Sequence, residues 1–505
     1  MGRSAPCDGE WARIPARPRR HGHRKQRGVR RRAYYPHVAV TRRLLRWLAL
    51  AVLPVLGACY SAVNLAPPAP PGVAPPSLWP WRPWTQDLQV YLFAANDMLA
   101  GVDFYTHVVT FPYLYPPIAA LLAIPLTLLP WSVAQFVWTA LNGVLTLAVL
   151  RRLGMPGWSA SVAAAAVLLL TDPFMATLRL GQLGILLMAM VVLDLLGPTG
   201  GRRRILPGGV LIGLAAGLKL TPGVFIVHLF LIGRRRDGLV AAGTFLGTVL
   251  LGIAVAPRPA LGYWARLAGG DSGANPDAFG WIGNISVTSA TQRFLGVEQG
   301  GRIGLLLAGA LVLLALAAAW RCHRTGRPVL ALGVLGLASS LANPIAWSHH
   351  LTWVLPLGYA AWRATGRVRR PLPQWQRVLT LVVVLWCLIN PQQLLGGAPW
   401  ARREIFEYSI AQKWFAAGPD VAAALLAVAL LFVPGGRTPQ RQRPGDDDPD
   451  EDTEPTPDAA PATEAVEEEP SGSTRVPVTA GDGARRDLGQ GPWRGRRSRP
   501  KRILS

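Results

Sequence analysis

Long runs of apolar residues constrain this chain more than any other feature. Many of them approach or reach about 20 residues, the length at which an α-helix crosses the hydrocarbon core of a bilayer. Hydrophobic residues make up 50% of the 505 positions, and a soluble core does not gather them into runs of this length. The runs predict an all-α, polytopic integral membrane protein with about 12 transmembrane helices.

The basic residues follow the pattern of membrane topology. The formal net charge is +24, but the Arg residues stand in short clusters between apolar runs and in the two tails. Lys and Arg remain mainly on the cytoplasmic side of a membrane. This distribution argues against a nucleic-acid-binding protein. It predicts cytoplasmic loops at 151–152, 202–204, 234–236, 321–327 and 363–370.

Composition divides the chain into three parts. Residues 1–42 are rich in Arg, Pro and Gly, which predicts a disordered basic cytoplasmic arm. Residues 43–434 carry the apolar runs and are predicted to form one multi-helix membrane domain. Residues 435–505 are acidic and then basic, which is typical of a disordered cytoplasmic tail. A tether to anionic lipid or to a partner protein is the alternative interpretation of this tail.

The first external segment decides the topology. Residues 43–63 are predicted to form an uncleaved first helix that leaves the cytoplasm, because no convincing cleavage site follows it. Residues 64–112 then lie outside, and residues 114–130 are apolar but bounded by prolines. The latter form either a full span or a re-entrant or juxtamembrane segment. The second alternative, which we favour, places the later Arg clusters and both termini in the cytoplasm.

Ionisable residues are scarce in the membrane domain and fall on one predicted face. Of the 28 Asp and Glu residues, 14 lie after residue 440. Because ionisable groups at a membrane boundary are costly unless they are paired or used, a one-sided group of them predicts a functional site. The external residues are Asp87, Asp97, Asp103, His107, Asp172, Arg179, Gln182, Lys219, Asp271, Asp277, Asn284, Arg293, Glu298, Asn343, His349, His350, Glu404 and Glu407.

An acidic residue and several aromatic residues lie in the first external loop. Asp87 and Tyr91 are separated by one helical turn, so they share a face of the amphipathic stretch. A carboxylate there can take the proton of a sugar hydroxyl as a general base; the alternative is a helix cap. Tyr113 and Tyr115 can stack on a sugar, although anchoring at the membrane interface is the default for such residues.

Three further positions carry basic side chains on the same face. Lys219, followed by Thr-Pro-Gly, can meet a phosphate at a helix end; the alternative is a snorkelling Lys. His349 and His350 point in different directions on a helix, which favours phosphate binding or proton transfer over a shared metal site; a structural pair is the alternative. Arg293 predicts an anionic ligand, unless Glu298 is its partner.

No cofactor site is predicted. The four cysteines are scattered, without metal-ligand spacing, so neither disulfides nor a Cys metal site is expected. We predict that no cofactor is required, and the sequence leaves dependence on a divalent metal open.

Several strings occur in a fixed order within residues 43–434. They are Asp87 to Tyr91, Gly101 to Tyr105, Phe111 to Pro117, Gly181-Gln182, Gly213 to Pro222, Asn284-Ile285-Ser286 with Arg293, and Trp347 to His350. In this order and spacing the chain resembles the actinobacterial polyprenyl-phosphate-mannose-dependent alpha-mannosyltransferases, glycosyltransferase family 87.

The resemblance implies a GT-C architecture and a reaction. Mannose would pass from a polyprenyl-phosphate donor, commonly in alpha-1,2 linkage and with inversion, to a lipid-anchored glycan such as a phosphatidylinositol mannoside or lipoarabinomannan. The site would lie on the extracytoplasmic face of the plasma membrane, and no nucleotide-binding motif is needed. Alternatives are a polyprenyl-phosphate-arabinose transferase and a lipid-linked-sugar transporter or flippase; a transporter should show internal repeats, which the sequence does not clearly contain.

The resemblance also implies roles for individual residues. The essential Asp of the first external loop corresponds to Asp87, and His349 or His350 lies in the active site. Lys219 and Arg293 would contact the donor phosphate. The remaining candidates for substrate binding are Tyr91, Tyr113, Tyr115, Gln182 and Asn284.

Overall fold

The computed structural model describes most of the membrane domain. The described residues are 36–64, 83–107, 111–198, 204–271, 273, 277–363, 372–391 and 408–435, with side chains omitted at 36–40, 63–64 and 277–278. The greater part of the predicted basic arm, Arg202 and Arg203, most of the 363–370 loop, Glu404, Glu407 and nearly all of the predicted tail lie outside them. The boundaries of the arm and the tail therefore remain predictions.

Every regular element in the described part of the chain is helical, which confirms the all-α prediction there. The helices are α1 (Pro36–Asn64), α2 (Gln86–Leu99), α3 (Pro117–Thr127), α4 (Trp131–Leu153), α5 (Gly157–Leu170), α6 (Asp172–Leu180), α7 (Gly184–Leu196), α8 (Val210–Leu218), α9 (Val224–Leu231), α10 (Arg235–Val255), α11 (Pro257–Ala268), α12 (Asp277–Gly280), α13 (Val287–Leu295), α14 (Val297–Arg324), α15 (Pro328–Leu341), α16 (Val354–Arg363), α17 (Gln374–Ile389), α18 (Ile410–Ala416) and α19 (Gly418–Leu431). Two short 3-10 helices, Thr221–Gly223 and Ser348–Trp353, precede α9 and α16.

The helices differ widely in length. Among the described residues, 4 helices are long and apolar enough to cross a membrane, or up to 6 if each of two bent pairs counts as one span. The bent pairs are α5 with α6, at 76°, and α18 with α19, at 52°. Shorter apolar helices such as α7, with 13 residues, are about 20 Å long, less than the roughly 30 Å of a hydrocarbon core. The total of about 12 spans stays a prediction.

The segment predicted as re-entrant contains the short helix α3. This helix has 11 residues, so it is about 16 Å long and too short to cross a bilayer alone. Pro116 precedes it, and Pro117 lies in its first turn. It packs against α2, and a Cβ placed on Gly252 of α10 would lie 3.1 Å from Pro117 Cβ. The placement of α3 in the outer half of a membrane remains a prediction.

Helix α4 connects two chemically different ends of the molecule. Near its start, the amide of Gln135 donates a hydrogen bond to the hydroxyl of Thr85, two residues before Asp87, at 2.7 Å. Its last turn carries Arg151 and Arg152. The 23 residues of α4 give a length of about 35 Å. The Asp87 region and this Arg cluster therefore lie at opposite ends of a helix long enough to cross a membrane.

Small residues allow the helices to approach closely. A Cβ on Gly143 of α4 would lie 2.9 Å from the Pro54 carbonyl oxygen of α1, and one on Gly213 of α8 would lie 2.3 Å from the Ala241 carbonyl oxygen of α10. Such contacts are typical of helix interfaces in membranes, where packing supplies much of the attraction between helices. The second of these contacts fixes α8, and with it the position of Lys219.

Candidate active site

The local backbone places Asp87 at the start of α2. Thr85 precedes the helix with a left-handed φ of 41°, and its N–H donates to the Arg179 carbonyl at 2.6 Å. Asp87 is in the first turn, but its carboxylate accepts a hydrogen bond from the amide of Gln182. The side chain thus faces a residue of another element, which distinguishes it from a simple helix cap.

Gln182 links Asp87 to two tyrosines. Its Oε1 atom lies 3.0 Å from the Tyr91 hydroxyl and 2.8 Å from the Tyr115 hydroxyl, both of which donate to it. Its Nε2 atom donates to Asp87 Oδ2. Gln182 and Tyr91 are buried, while Asp87 and Tyr115 are partly exposed. The structure therefore brings four predicted site residues together, although they come from three separate stretches of the chain.

The environment changes the acidity of Asp87. Burial raises the pKa of its carboxyl to about 6, because a charged carboxylate loses hydration there. The hydrogen bond from Gln182 and the charge of Lys219 act in the opposite direction and lower the pKa. A carboxylate with such a pKa is ionised at neutral pH and is a stronger base than an ordinary Asp.

Lys219 lies between α8 and the following 3-10 helix. It contacts Tyr115 on one side of the site and His350 on the other. Its Nζ atom is 5.2 Å from the centroid of the Tyr115 ring and 2.8 Å from Nε2 of His350. Nδ1 of His350 accepts the Trp347 N–H at 3.2 Å. The ring of His349 stands edge-on to that of His350, with centroids 4.5 Å apart. Asp87 and the two histidines therefore belong to one cluster, with Lys219 and Tyr115 between them.

A small cavity adjoins Lys219. Its volume is about 20 Å³, room for about one water molecule. The residues that line it include Lys219, Thr221, Ser340, His350 and Thr352, together with Trp353 and two residues of α7. The Ser340 and Thr352 hydroxyls donate to the carbonyls of His350 and Gly184, so the ammonium, the imidazole and the Thr221 hydroxyl are the groups that can contribute donors to an anion.

Tyr113 lies behind the site. It is 4% exposed and its hydroxyl donates to the Pro116 carbonyl at 3.0 Å. Its ring contacts Phe104, Tyr105 and Tyr115. The structure thus places Tyr113 in a buried aromatic cluster that supports Tyr115.

Asn284 and Arg293 also lie behind the site. The Asn284 side chain accepts the Ala346 N–H at 3.0 Å and donates to the Pro344 carbonyl, so it fixes the segment that leads to His349. Arg293 is 1% exposed, and its Nη1 donates to the carbonyls of Trp281 and Asn284 and to the Ser289 hydroxyl.

Glu298 is not the partner of Arg293, since it pairs with Arg302 at 2.8 Å. That alternative interpretation of Arg293 is wrong, because Glu298 and Arg302 are one turn apart on α14 while Arg293 turns inward. The described hydrogen bonds do not place Arg293 with Lys219 or Asp87, so a donor contact by Arg293 stays a prediction.

Sequence reasoning missed Gln135 and named Asp172 only as a member of the external group, although both residues support the site from behind. Gln135 also donates to the Pro83 carbonyl at 3.0 Å, and so holds the start of α2 at two points. Asp172 accepts the Asn390 amide at 3.0 Å, which joins α6 to the end of α17. The available signal was a buried amide inside an apolar helix, because such groups need partners.

Within the described residues, no three His, Cys, Asp or Glu side chains are placed to hold a metal ion.

Comparison with known proteins gives a consistent result. The sequence model of glycosyltransferase family 87 matches residues 113–344. The chain is 30% identical over 409 residues to the polyprenol-phosphate-mannose-dependent alpha-(1-2)-phosphatidylinositol mannoside mannosyltransferase of Mycobacterium tuberculosis. This alignment covers 72% of this chain and 89% of that protein. It is 33% identical over 341 residues to the polyprenol-phosphate-mannose-dependent alpha-(1-2)-phosphatidylinositol pentamannoside mannosyltransferase of Mycolicibacterium smegmatis. That alignment covers 62% of this chain and 79% of the relative.

No solved structure matches the chain significantly. The sequence matches confirm the resemblance seen in the motifs, with most of the first relative covered. The chain is therefore an enzyme, a hexosyltransferase that belongs to glycosyltransferase family 87.

Proposed function

We propose that the enzyme transfers mannose from a polyprenyl-phosphate donor to a lipid-linked glycan on the extracytoplasmic face of the plasma membrane. The product linkage is alpha-1,2 and is formed with inversion. The names of the two relatives support the donor, the linkage and an acceptor of the phosphatidylinositol mannoside class. We also propose that the reaction needs no cofactor, because the sugar arrives already activated on its phosphate.

The observation that carries the proposal is the cluster in which a carboxylate and a cationic group share one aromatic neighbour. Tyr115 reaches the Gln182–Asp87 pair through its hydroxyl and Lys219 through its ring face. A glycosyl transfer of this kind needs a base at the incoming hydroxyl and positive charge at the departing phosphate. Asp87 and the pair Lys219–His350 meet these two requirements.

The chemistry follows as a single displacement. The acceptor hydroxyl oxygen forms a bond to the anomeric carbon of mannose while the bond from that carbon to the phosphate oxygen breaks. Asp87 takes the hydroxyl proton, and the electron pair of the broken bond leaves with the polyprenyl phosphate. Lys219 and His350 stabilise the negative charge that develops on that phosphate.

The test is a transfer assay with purified protein, labelled polyprenyl-phosphate mannose and phosphatidylinositol mannoside acceptors. Asp87→Asn removes the base without changing the shape of the side chain, so we expect transfer to fall by about 10²- to 10⁴-fold. Asp97→Asn is the matched control, because Asp97 lies in the same helix but pairs with His107 at 2.8 Å; it should keep the wild-type rate. Near-normal transfer by Asp87→Asn would overturn the assignment.

Additional arms of the assay separate the alternatives. Polyprenyl-phosphate arabinose in place of the mannose donor tests the pentose reaction, and movement of intact donor across vesicles without product tests transport. Chelation with EDTA tests the absence of a cofactor: we expect an unchanged rate, and a loss that Mg²⁺ or Mn²⁺ restores would contradict this part of the proposal.

A further inference from the structure

Gln182 lies between the proposed base, Asp87, and two phenols. Both tyrosine hydroxyls lie within 3.0 Å of its Oε1 atom, and its amide nitrogen faces Asp87 Oδ2. A side-chain amide has an oxygen that only accepts and a nitrogen that only donates. The arrangement satisfies both lone pairs of the oxygen and one of the two N–H groups with neighbours that are fixed to other elements.

The orientation of this amide follows from the charge of Asp87. Rotating the Gln182 amide by 180° would place its oxygen next to Asp87 Oδ2. With Asp87 ionised, no proton would lie between these two oxygen atoms, and they would repel each other. In the observed orientation, the N–H donates to Oδ2 and the two phenols donate to the amide oxygen. The network therefore favours ionised Asp87 and fixes which atoms of the two side chains meet.

The backbone that carries Gln182 is clamped from both sides. Gly181 has a left-handed φ of 73°, and a Cβ there would lie 2.7 Å from Leu88 Cβ of α2. A Cβ on Gly184 would lie 2.6 Å from the carbonyl oxygen of His349. Only residues without a side chain fit at these two contacts. The turn that bears Gln182 is thus held between the helix of the base and the histidine segment.

We propose that Gln182 is a positioning residue that holds Asp87 so that Oδ1 is the atom that receives the acceptor proton. Oδ2 faces an N–H donor, so a proton placed on it would meet another hydrogen. During the displacement the O–H bond of the acceptor breaks, the new O–C bond forms, and the proton goes to Oδ1. This inference rests on the proposed function, since it assigns an atom within the same base, and it gives Gln182 a role other than binding the sugar.

The test is the pH dependence of transfer by Gln182→Glu. The new carboxylate still accepts from both tyrosines, but it replaces the N–H donor with an oxygen next to Asp87. Two adjacent carboxylates cannot both ionise easily, so the pKa of Asp87 should rise further. We expect the acidic limb of kcat/KM to move upward by about one pH unit or more. At pH values below the new limb the rate should be about tenfold lower, with recovery as the pH rises and little change in the KM for the donor.

Controls make the outcomes distinguishable. Gln412→Glu changes the same residue type in α18, where the side chain caps the helix with Ser409, and should leave the profile unchanged. An unchanged pH profile of kcat/KM in Gln182→Glu would overturn the inference. A raised KM for substrate without a shift of the acidic limb would also overturn it, because that result is the signature of a sugar contact. If Asp87→Asn retains activity, the proposed function itself fails; if Asp87→Asn is inactive and Gln182→Glu is unshifted, only the role of Gln182 fails.

Discussion

At the scale of single residues, two influences act in opposite directions on the Asp87 carboxyl. Burial raises its pKa to about 6, and the hydrogen bond from Gln182 together with the charge of Lys219 limits the rise. A base works best when its pKa lies near the working pH while it remains mostly ionised. The surroundings of Asp87 therefore place its pKa in a useful range for accepting a hydroxyl proton.

The pH dependence of the wild-type enzyme follows from this balance. Protonated Asp87 cannot accept a proton, so kcat/KM should be low in acid and rise with increasing pH through about 6. An unshifted Asp would give the same limb near pH 4. Initial rates from about pH 4 to pH 8 would locate the limb. A midpoint near 4 in both the wild type and Asp97→Asn would contradict the raised pKa.

The charge of Lys219 should matter for the donor. Lys219→Met keeps much of the length of the side chain but removes the ammonium beside His350. A charge-assisted hydrogen bond contributes about 1.5 to 3 kcal/mol, so we expect kcat/KM for the donor to fall by roughly 10- to 150-fold. Lys413→Met is the matched control, because Lys413 lies over the Phe294 ring at 6.0 Å. Equal effects of the two substitutions would argue against a phosphate contact by Lys219.

At the scale of helices, the close approach of α8 to α10 sets the position of the cationic side of the site. Gly213 of α8 faces the Ala241 carbonyl, and Gly217 faces Thr248. Both glycines lie on the helix that ends just before Lys219. Separation of these two helices would move Lys219 relative to Asp87, because α2 is held by different neighbours.

A glycine substitution tests this packing. In Gly213→Ala the new methyl would lie 2.3 Å from the Ala241 carbonyl oxygen, a backbone atom that cannot rotate away. Overpacking of this kind costs about 1 to 3 kcal/mol, so we expect a lower midpoint of thermal unfolding in detergent and a lower transfer rate. Gly243→Ala in α10 is the control, because no heavy atom lies within 4 Å of its added Cβ. An unchanged unfolding midpoint for Gly213→Ala would show that the close contact between α8 and α10 at this position does not contribute to stability.

Local sequence signals predicted some elements well and others poorly. The amphipathic stretch that carries Asp87 and Tyr91 corresponds to α2, and the apolar run that precedes the predicted loop at 151–152 corresponds to α4. The bend of 76° that begins α6 was not predicted. The helix expected from His349 begins instead as a 3-10 helix at Ser348. Apolar periodicity shows where a helix exists, but these bends depend on which partners the neighbouring helices supply.

The same limit applies to the site. Asp87, Lys219 and the two histidines were selected from the sequence because they are polar residues in an apolar background. The hydrogen bonds of Gln182 span 91 residues to Tyr91 and 95 residues to Asp87. No spacing rule for helices or turns reaches so far, so the bond between Gln182 and the base came only from the folded structure.

At the scale of the whole molecule, the polar cluster and the Arg clusters lie far apart. Helix α4 joins the Thr85 region to Arg151, and Arg151 lies over the ring of Trp47 in α1 at 5.9 Å. The same end holds Arg204, which pairs with Asp194 at 3.1 Å. Since basic clusters remain in the cytoplasm, this separation supports an extracytoplasmic site.

Labelling of single cysteines from outside intact cells would test this orientation. In a background with the native cysteines replaced by Ser or Ala, Thr106→Cys lies in an exposed turn after α2 and should react with a membrane-impermeant maleimide. Arg236→Cys is equally exposed at the start of α10 and should react only after the membrane is opened. Labelling of both positions in intact cells, or of Arg236→Cys alone, would contradict the proposed orientation.

Tyr115 serves the base and the cation at the same time, through its hydroxyl and through its ring. Any displacement of the loop before α3 that moves this side chain would weaken the support of Asp87 and the contact of Lys219 together. The two halves of the proposed reaction, removal of the proton and departure of the phosphate, therefore depend on a single phenol side chain.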